Sequence, residues 1–383
     1  MTIWLPRCVA LLFVVLPLVP AVAVAPGDTE VERLIKQLGS DKFKEREAAM
    51  KRLLEIGEPA LDALYKAQTS ADEEVRQRTE KIIAAIGSKL YVELLCLTGH
   101  TSPVWSVCVS ADGKRLLTGS EDKTLRLWDT ATGKCLQVFK GHTDLIFGAV
   151  LAPDGKQVLS AGDQTVRLWD TTTGKEIWQM TGHKGPVVRV VFGPEGRAIS
   201  GGTDGTVRVW DLQTGKQAAV LTGHTSVVRF VAYSDKAKVA ATSSYDGSIR
   251  LWNLETGKEV RTLAEHRGPD DLMSLCISPD GKYLLAPAVD LSLRLVEVAT
   301  GKEIKRIKTA HAYCAAFSPD GKRIVSGGYF DNTVRVWDIE TGRSLYSYKG
   351  HTGGVTCVTF FPDGKRIASA SADGTARIWR APR

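Results

Sequence analysis

Two hydrophobic periods divide this chain. Between residues 28 and 88 the apolar positions fall three and four apart. Leu34, Ile35 and Leu38 mark one amphipathic face, and Phe43, Ala48, Ala49, Leu53, Leu54 and Ile56 mark a second. Leu61, Leu64 and Tyr65 make a third, and Val75, Thr79, Ile82, Ile83 and Ile86 a fourth. This spacing predicts four helices. Gly39, Gly57 and Gly87 punctuate them, and Pro59 suits the first position of the third helix. Thr29 with Glu32, and Ser70 with Glu73, have the spacing of capping boxes at the first and fourth.

From Tyr91 onward the period changes to two. A unit of 40 to 45 residues opens on Gly-His, as at Gly99-His100, Gly141-His142, Gly182-His183, Gly223-His224 and Gly350-His351, with weaker openings at Glu265-His266 and Ala310-His311. An apolar strand follows, then a Pro-Asp-Gly-Lys turn such as Pro153 to Lys156, and a second strand leading to an Asp-centred turn. A third strand ends on tryptophan at 128, 169, 210, 252, 337 and 379, with Val296 in the fifth unit. Thr-Gly turns then start a fourth strand. Alternation bounded by such turns gives short antiparallel hairpins. One four-stranded sheet leaves both faces uncovered, so copies must stack, and radial stacking closes a ring.

The units resemble WD repeats, seven copies over about 290 residues. The fold expected is therefore an all-β seven-bladed β-propeller (residues 90–383) behind a small helical segment (residues 28–88). The last unit ends after its third strand, and Tyr91 to Leu97 supplies the missing fourth, so the N-terminal strand is expected to complete the last blade. The run Arg46-Glu47-Ala48-Ala49, Ile56 to Leu61 and Glu74-Val75-Arg76 resembles HEAT-type repeats.

Every unit but the fifth contains His, Asp, Ser or Thr, and Trp, a composition that invites a hydrolase triad. The WD resemblance implies a structural role instead: a hydrogen-bonded chain inside each blade, such as His100, Asp122, Thr118 and Trp128, repeated through His351, Asp373, Ser369 and Trp379. Repetition around a ring suits structural polar groups and not an active site. All seven histidines belong to these sets, which leaves none for a general base or metal, so neither catalysis nor a cofactor is expected. Arg126, Arg167, Arg208, Arg250, Arg294, Arg335 and Arg377 stand two before each Trp position, where local ion pairs with blade carboxylates are expected. The fifth unit departs, with Ala286 for Ser/Thr and Val296 for Trp.

Binding is the function the resemblance implies, on the face formed by the Gly-His loops and Asp turns. Carried onto this sequence, the partner-binding positions are Trp105, Phe147, Arg229, Tyr245, Met273, Tyr313 and Phe330, residue types enriched at binding hot spots. A protein-interaction scaffold, monomeric as a propeller, is the first expectation. Small-ligand or glycan binding at the channel mouth is the alternative, and a propeller enzyme ranks last.

Charge and cysteine usage adjust this picture slightly. Fifty Lys and Arg against 43 Asp and Glu give +7, spread without the dense clusters nucleic acid requires. Six cysteines follow Cys8, with no CxxC, and read as small buried hydrophobes. Residues 1–25, with Arg7, an apolar run from Cys8 to Val19 and Ala21-Val22-Ala23, read as a signal peptide and imply an exported protein with no membrane role beyond export.

Overall fold

The computed structural model describes residues 28–263, 274–288, 290–309 and 312–382. The chain divides into two compact units, Met1–Gly87 and Ser88–Arg383. In the first, α1 (Asp28–Gln37), α2 (Phe43–Ile56), α3 (Leu61–Ala67) and α4 (Glu73–Leu90) follow the predicted period, and Leu38, Leu53, Leu64 and Ile82 form its core. Two details differ. Asp72, not Ser70, caps α4: its carboxylate accepts the Glu74 and Val75 amides at 2.9 and 3.2 Å, a stronger acceptor for a helix terminus than a hydroxyl. Pro59 lies in a short 3-10 turn, Glu58–Ala60, ahead of α3. A repeat thirty residues long is visible in the contacts: Arg46 donates to the Ser40 carbonyl and Arg76 to the Ser70 carbonyl, both at 2.7 Å.

The second unit is the predicted propeller, built of seven four-stranded antiparallel sheets. In blades one to six the strands lie in chain order from the innermost to the outermost. Blade seven takes its outer strand from the other end: Glu93–Leu97 pairs with Ala376–Arg380. The Arg380 amide donates to the Val92 carbonyl at 3.0 Å, Arg377 forms an ion pair with Glu93, and Leu97 packs among Val104, Phe361 and Ile378.

Blades are held by their shared faces. Phe139, Leu117 and Leu127 of blade one meet Ile146, Val158 and Trp169 of blade two in one cluster, and the same pairing joins blades two and three and three and four. The turns take part as well. A side chain at Gly215, where φ is +68°, would run into the Trp178 ring of the preceding blade at 2.6 Å. Only glycine allows that close seat.

The outer strands are covered on one flank, so apolar residues there stay at the surface. Leu136, Ile177, Val260 and Ile304 are exposed. The same geometry corrects the cysteine expectation: Cys314 is buried and Cys108, Cys276 and Cys357 partly so, but Cys96 and Cys135 are exposed on outer strands. All six are free thiols.

Closure through Leu97 is testable. Leu97→Asp places a carboxylate at a position 2% exposed, a burial expected to lower the melting temperature by on the order of 10 °C. Leu94→Asp, on the exposed side of the same strand, is expected to leave it nearly unchanged. Calorimetry on both variants decides whether this strand closes the ring.

Candidate functional site

The face bearing the Gly-His loops is shaped by buried polar chains. In blade one, His100 Nδ1 lies 2.8 Å from Asp122 and Nε2 2.7 Å from the Thr118 hydroxyl, which also accepts the Trp128 indole N–H at 2.9 Å. An ionised Asp122 places the imidazole proton on Nδ1, so Nε2 accepts from the hydroxyl. Blades three, four and seven repeat the chain through His183, His224 and His351. Blade two keeps the His142–Ser160–Trp169 part of it, while His142 Nδ1 lies 3.1 Å from Asp163 without forming a hydrogen bond to it. Each aspartate also accepts backbone amides from the Gly-His loop and from its own turn, as Asp122 does from Thr101 and Thr124. The carboxylate thereby ties together the two loops that border the face.

The loop glycine belongs to this arrangement. At Gly182, φ is +156°, and an added Cβ would lie 2.8 Å from Arg208 and 3.3 Å from Trp210. Blade six keeps the Trp337–Ser326 bond at 2.8 Å, while Asp331 pairs with Arg335 at 2.6 Å. In blade five Ala286 and Val296 are both buried in an apolar cluster. His266 and His311 lie outside the described residues.

The seven arginines do not form an anion ring. Arg167 pairs with Glu176 at 2.7 Å, Arg250 with Glu259 at 2.5 Å and Arg294 with Asp290 at 2.9 Å. Arg208 reaches Asp204 at 3.6 Å. Arg126 differs, its guanidinium resting 6.0 Å from the Trp128 ring.

The positions singled out at the start of the innermost strands share a backbone feature. Register shifts between Val104 and Ser106, Ile146 and Gly148, Val228 and Phe230, and Ala312 and Cys314. Trp105, Phe147, Arg229 and Tyr313 each occupy that bulge, a device that re-aims a side chain. All four are partly buried. Trp105 and Phe147 stand 6.4 Å apart, and the Trp105 indole N–H reaches Glu121 at 3.4 Å. Arg229 donates to the Tyr313 hydroxyl at 2.7 Å, bridging from blade four to blade six, and its guanidinium stands 5.5 Å from the Tyr245 ring. Tyr313, Tyr329 and Phe330 continue outward at ring spacings of 5.0 and 5.7 Å, ending in a Phe330 that is 78% exposed. Met273 lies outside the described residues. The bulge positions Val188 and Thr356 are buried, and Thr356 donates to the Val104 carbonyl.

One residue of this site escaped the sequence reading. Arg189 follows the bulge in blade three, where Ser106, Gly148, Phe230, Ser274, Cys314 and Cys357 stand in the other blades, and these seven line an axial cavity of about 370 Å³. Arg189 donates to the Phe147 carbonyl at 2.6 Å and its guanidinium lies 4.8 Å from the Phe230 ring. Burial pushes its pKa down, and the Arg229 charge adds to that shift. A lone cation one residue past an apolar pair was the available signal. Among the described residues, no group of three or more His, Cys, Asp and Glu is placed to hold a metal, and no helix is long and apolar enough to cross a membrane.

The family description "WD domain, G-beta repeat" matches residues 91–129, 133–170, 174–211, 215–253, 257–296, 301–338 and 342–380. This chain belongs to the WD-repeat family. Over 51 residues it is 43% identical to the nuclear distribution protein PAC1 of Mycosarcoma maydis, covering 13% of this chain and 11% of that protein. Over 84 residues it is 34% identical to PAC1 of Arthroderma benhamiae, covering 20% and 18%. Over 81 residues it is 36% identical to eukaryotic translation initiation factor 3 subunit I of Emericella nidulans, covering 21% and 24%. The WD-repeat chain thus matches under a quarter of each relative's length.

These relatives correct the exported localisation. They are named for nuclear distribution and translation initiation, neither of which is an activity of exported proteins. The proposed signal, residues 1–25, lies outside the described residues. An apolar run behind a single arginine is a composition that many N-termini share, and it does not by itself specify an address.

The buried chains generate two predictions. Ser369→Ala removes the hydroxyl between His351 and Trp379 and leaves both ring nitrogens unpaired, at an expected cost of about 2–4 kcal/mol by denaturant unfolding. The second concerns pH. Burial holds His100, His183 and His224 below the ordinary histidine pKa, against the pull of their aspartates. For Asp204 and Asp246, burial raises the pKa, but the hydrogen bonds they accept outweigh it and hold both at about 2. A histidine with a lowered folded pKa binds its proton more readily unfolded, so stability falls as pH drops below about 6.5. The aspartates act in the same direction further down: their contribution is complete above about 4 and is lost toward 2. Melting temperature is therefore expected to be flat from pH 7 to 8.5 and to fall in two stages on acidification. A profile rising between pH 7 and 5 would contradict the assignment.

Proposed function

We propose that this chain is a non-catalytic protein-interaction scaffold. Its partner docks on the face of the Gly-His loops, contacting Trp105, Phe147, Arg229, Tyr245, Met273, Tyr313 and Phe330. The observation that carries this reading is the aromatic row Tyr313–Tyr329–Phe330, which runs from the channel mouth to a solvent-exposed phenylalanine. An exposed aromatic beside a rigid, partly buried aromatic platform is the surface from which binding hot spots are made. One relative is by name a subunit of a larger factor, which supports an assembly role. The helical unit, read as two HEAT-like hairpins from its thirty-residue contact repeat, serves as a second contact surface.

The triple variant Trp105→Ala, Tyr245→Ala and Phe330→Ala is expected to abolish partner capture in an affinity pull-down while leaving thermal unfolding close to that of the parent chain. Undiminished capture by a folded triple variant would overturn the assignment of this face.

A further inference from the structure

Resting on that reading of the face, we infer that the channel mouth selects partners through an oxyanion: an acidic side chain of an extended partner segment inserts between Arg189 and Arg229. Two guanidinium groups from adjacent blades converge there, and neither is paired with a carboxylate among the described residues, unlike the ion-paired arginines elsewhere in the blades. Their visible partners are neutral: the Phe147 carbonyl for Arg189 and the Tyr313 hydroxyl for Arg229. Among the described residues, the Arg229 Nε–H is buried without an acceptor. A buried, unsatisfied charged donor is costly unless a ligand supplies the acceptor.

The surroundings favour a side chain over a solvated ion. Phe230 and Tyr245 flank the two guanidinium groups, and Tyr313 and Tyr329 lead outward from them, giving the residues next to the acid an apolar platform. Arginine presents a planar fork of donors that suits carboxylate and phosphate alike. Glutamate, aspartate and phosphoserine therefore share the required chemistry.

The test uses the full chain on immobilised nonapeptides with eight randomised positions and a fixed centre of Glu, phosphoserine or Gln. Free glutamate and inorganic phosphate serve as separate ligands in calorimetry. Binding to the Glu or phosphoserine sets is expected to exceed the Gln set by at least about tenfold and to weaken with salt. Arg229→Gln should erase that preference, while Arg229→Lys should retain part of it. Arg189→Gln should also erase it, and because this residue braces Phe147 its melting temperature is measured alongside. The Arg229 variants carry the test if Arg189→Gln unfolds.

Equal binding to the Glu and Gln sets, or no binding to any set, would overturn the inference. So would free phosphate or glutamate binding as tightly as the peptides, which would mark a small-anion site. Equal binding to Glu and Gln that is lost in the Trp105, Tyr245 and Phe330 triple variant would leave the docking face standing, so the two failures are distinguishable.

Discussion

Every blade in this propeller is a sheet with two apolar faces, and neither can be left to water. The cover comes from the next blade, so the physical unit of stability is the interface between blades and not the blade. Trp169 illustrates this. Its indole N–H is satisfied inside blade two by Ser160, while its ring packs 5.9 Å from Phe139 of blade one. A polar chain within one sheet thus orients the large side chain that seals the joint with its neighbour. Loop geometry on the Gly-His face depends on the same chain, because the aspartate at its far end gathers amides from both bordering loops.

Blade five shows how this interaction is lost without loss of the fold. Removing either the hydroxyl or the indole alone would leave a buried partner unpaired, a penalty of about 1–3 kcal/mol. Here both are gone together, replaced by Ala286 and Val296, and the pair sits in an apolar cluster with Leu251, Leu263 and Leu284. Arg229 spans from blade four to Tyr313 of blade six, so part of the polar cross-linking on this side of the ring bypasses the altered blade.

Much of the architecture was legible in residue order because the recurring signals are local. Turn glycines, alternating strands and the Gly-His and Trp positions each report on a few neighbours, and their period reports on the ring. The helices were legible for the same reason, yet the cap of α4 was misplaced, since Ser70 and Asp72 both precede the helix and only the chain path decides which reaches its amides. At the channel mouth the alternation rule met a bulge in the innermost strands, and Arg189 fell one position away from the expected residue. Exposure of Cys96 and Cys135 was hidden in another way: an outer strand has an inner strand's alternation but only one covered flank.

Closure by Glu93–Leu97 has a consequence for how the ring forms. Glu93 meets Arg377 across 284 residues, so the first propeller strand made must wait for the last. The equilibrium cost of so long a loop is small, since each doubling of length adds only about 0.6 kcal/mol. The kinetic cost is larger, because topologies dominated by distant pairings fold slowly. Until that meeting occurs, the strand Ala376–Arg380 presents a bare edge to any chain nearby, and the same strand from a second copy would fit it as well as its own. Local concentration during synthesis therefore decides between a closed ring and an exchanged pair.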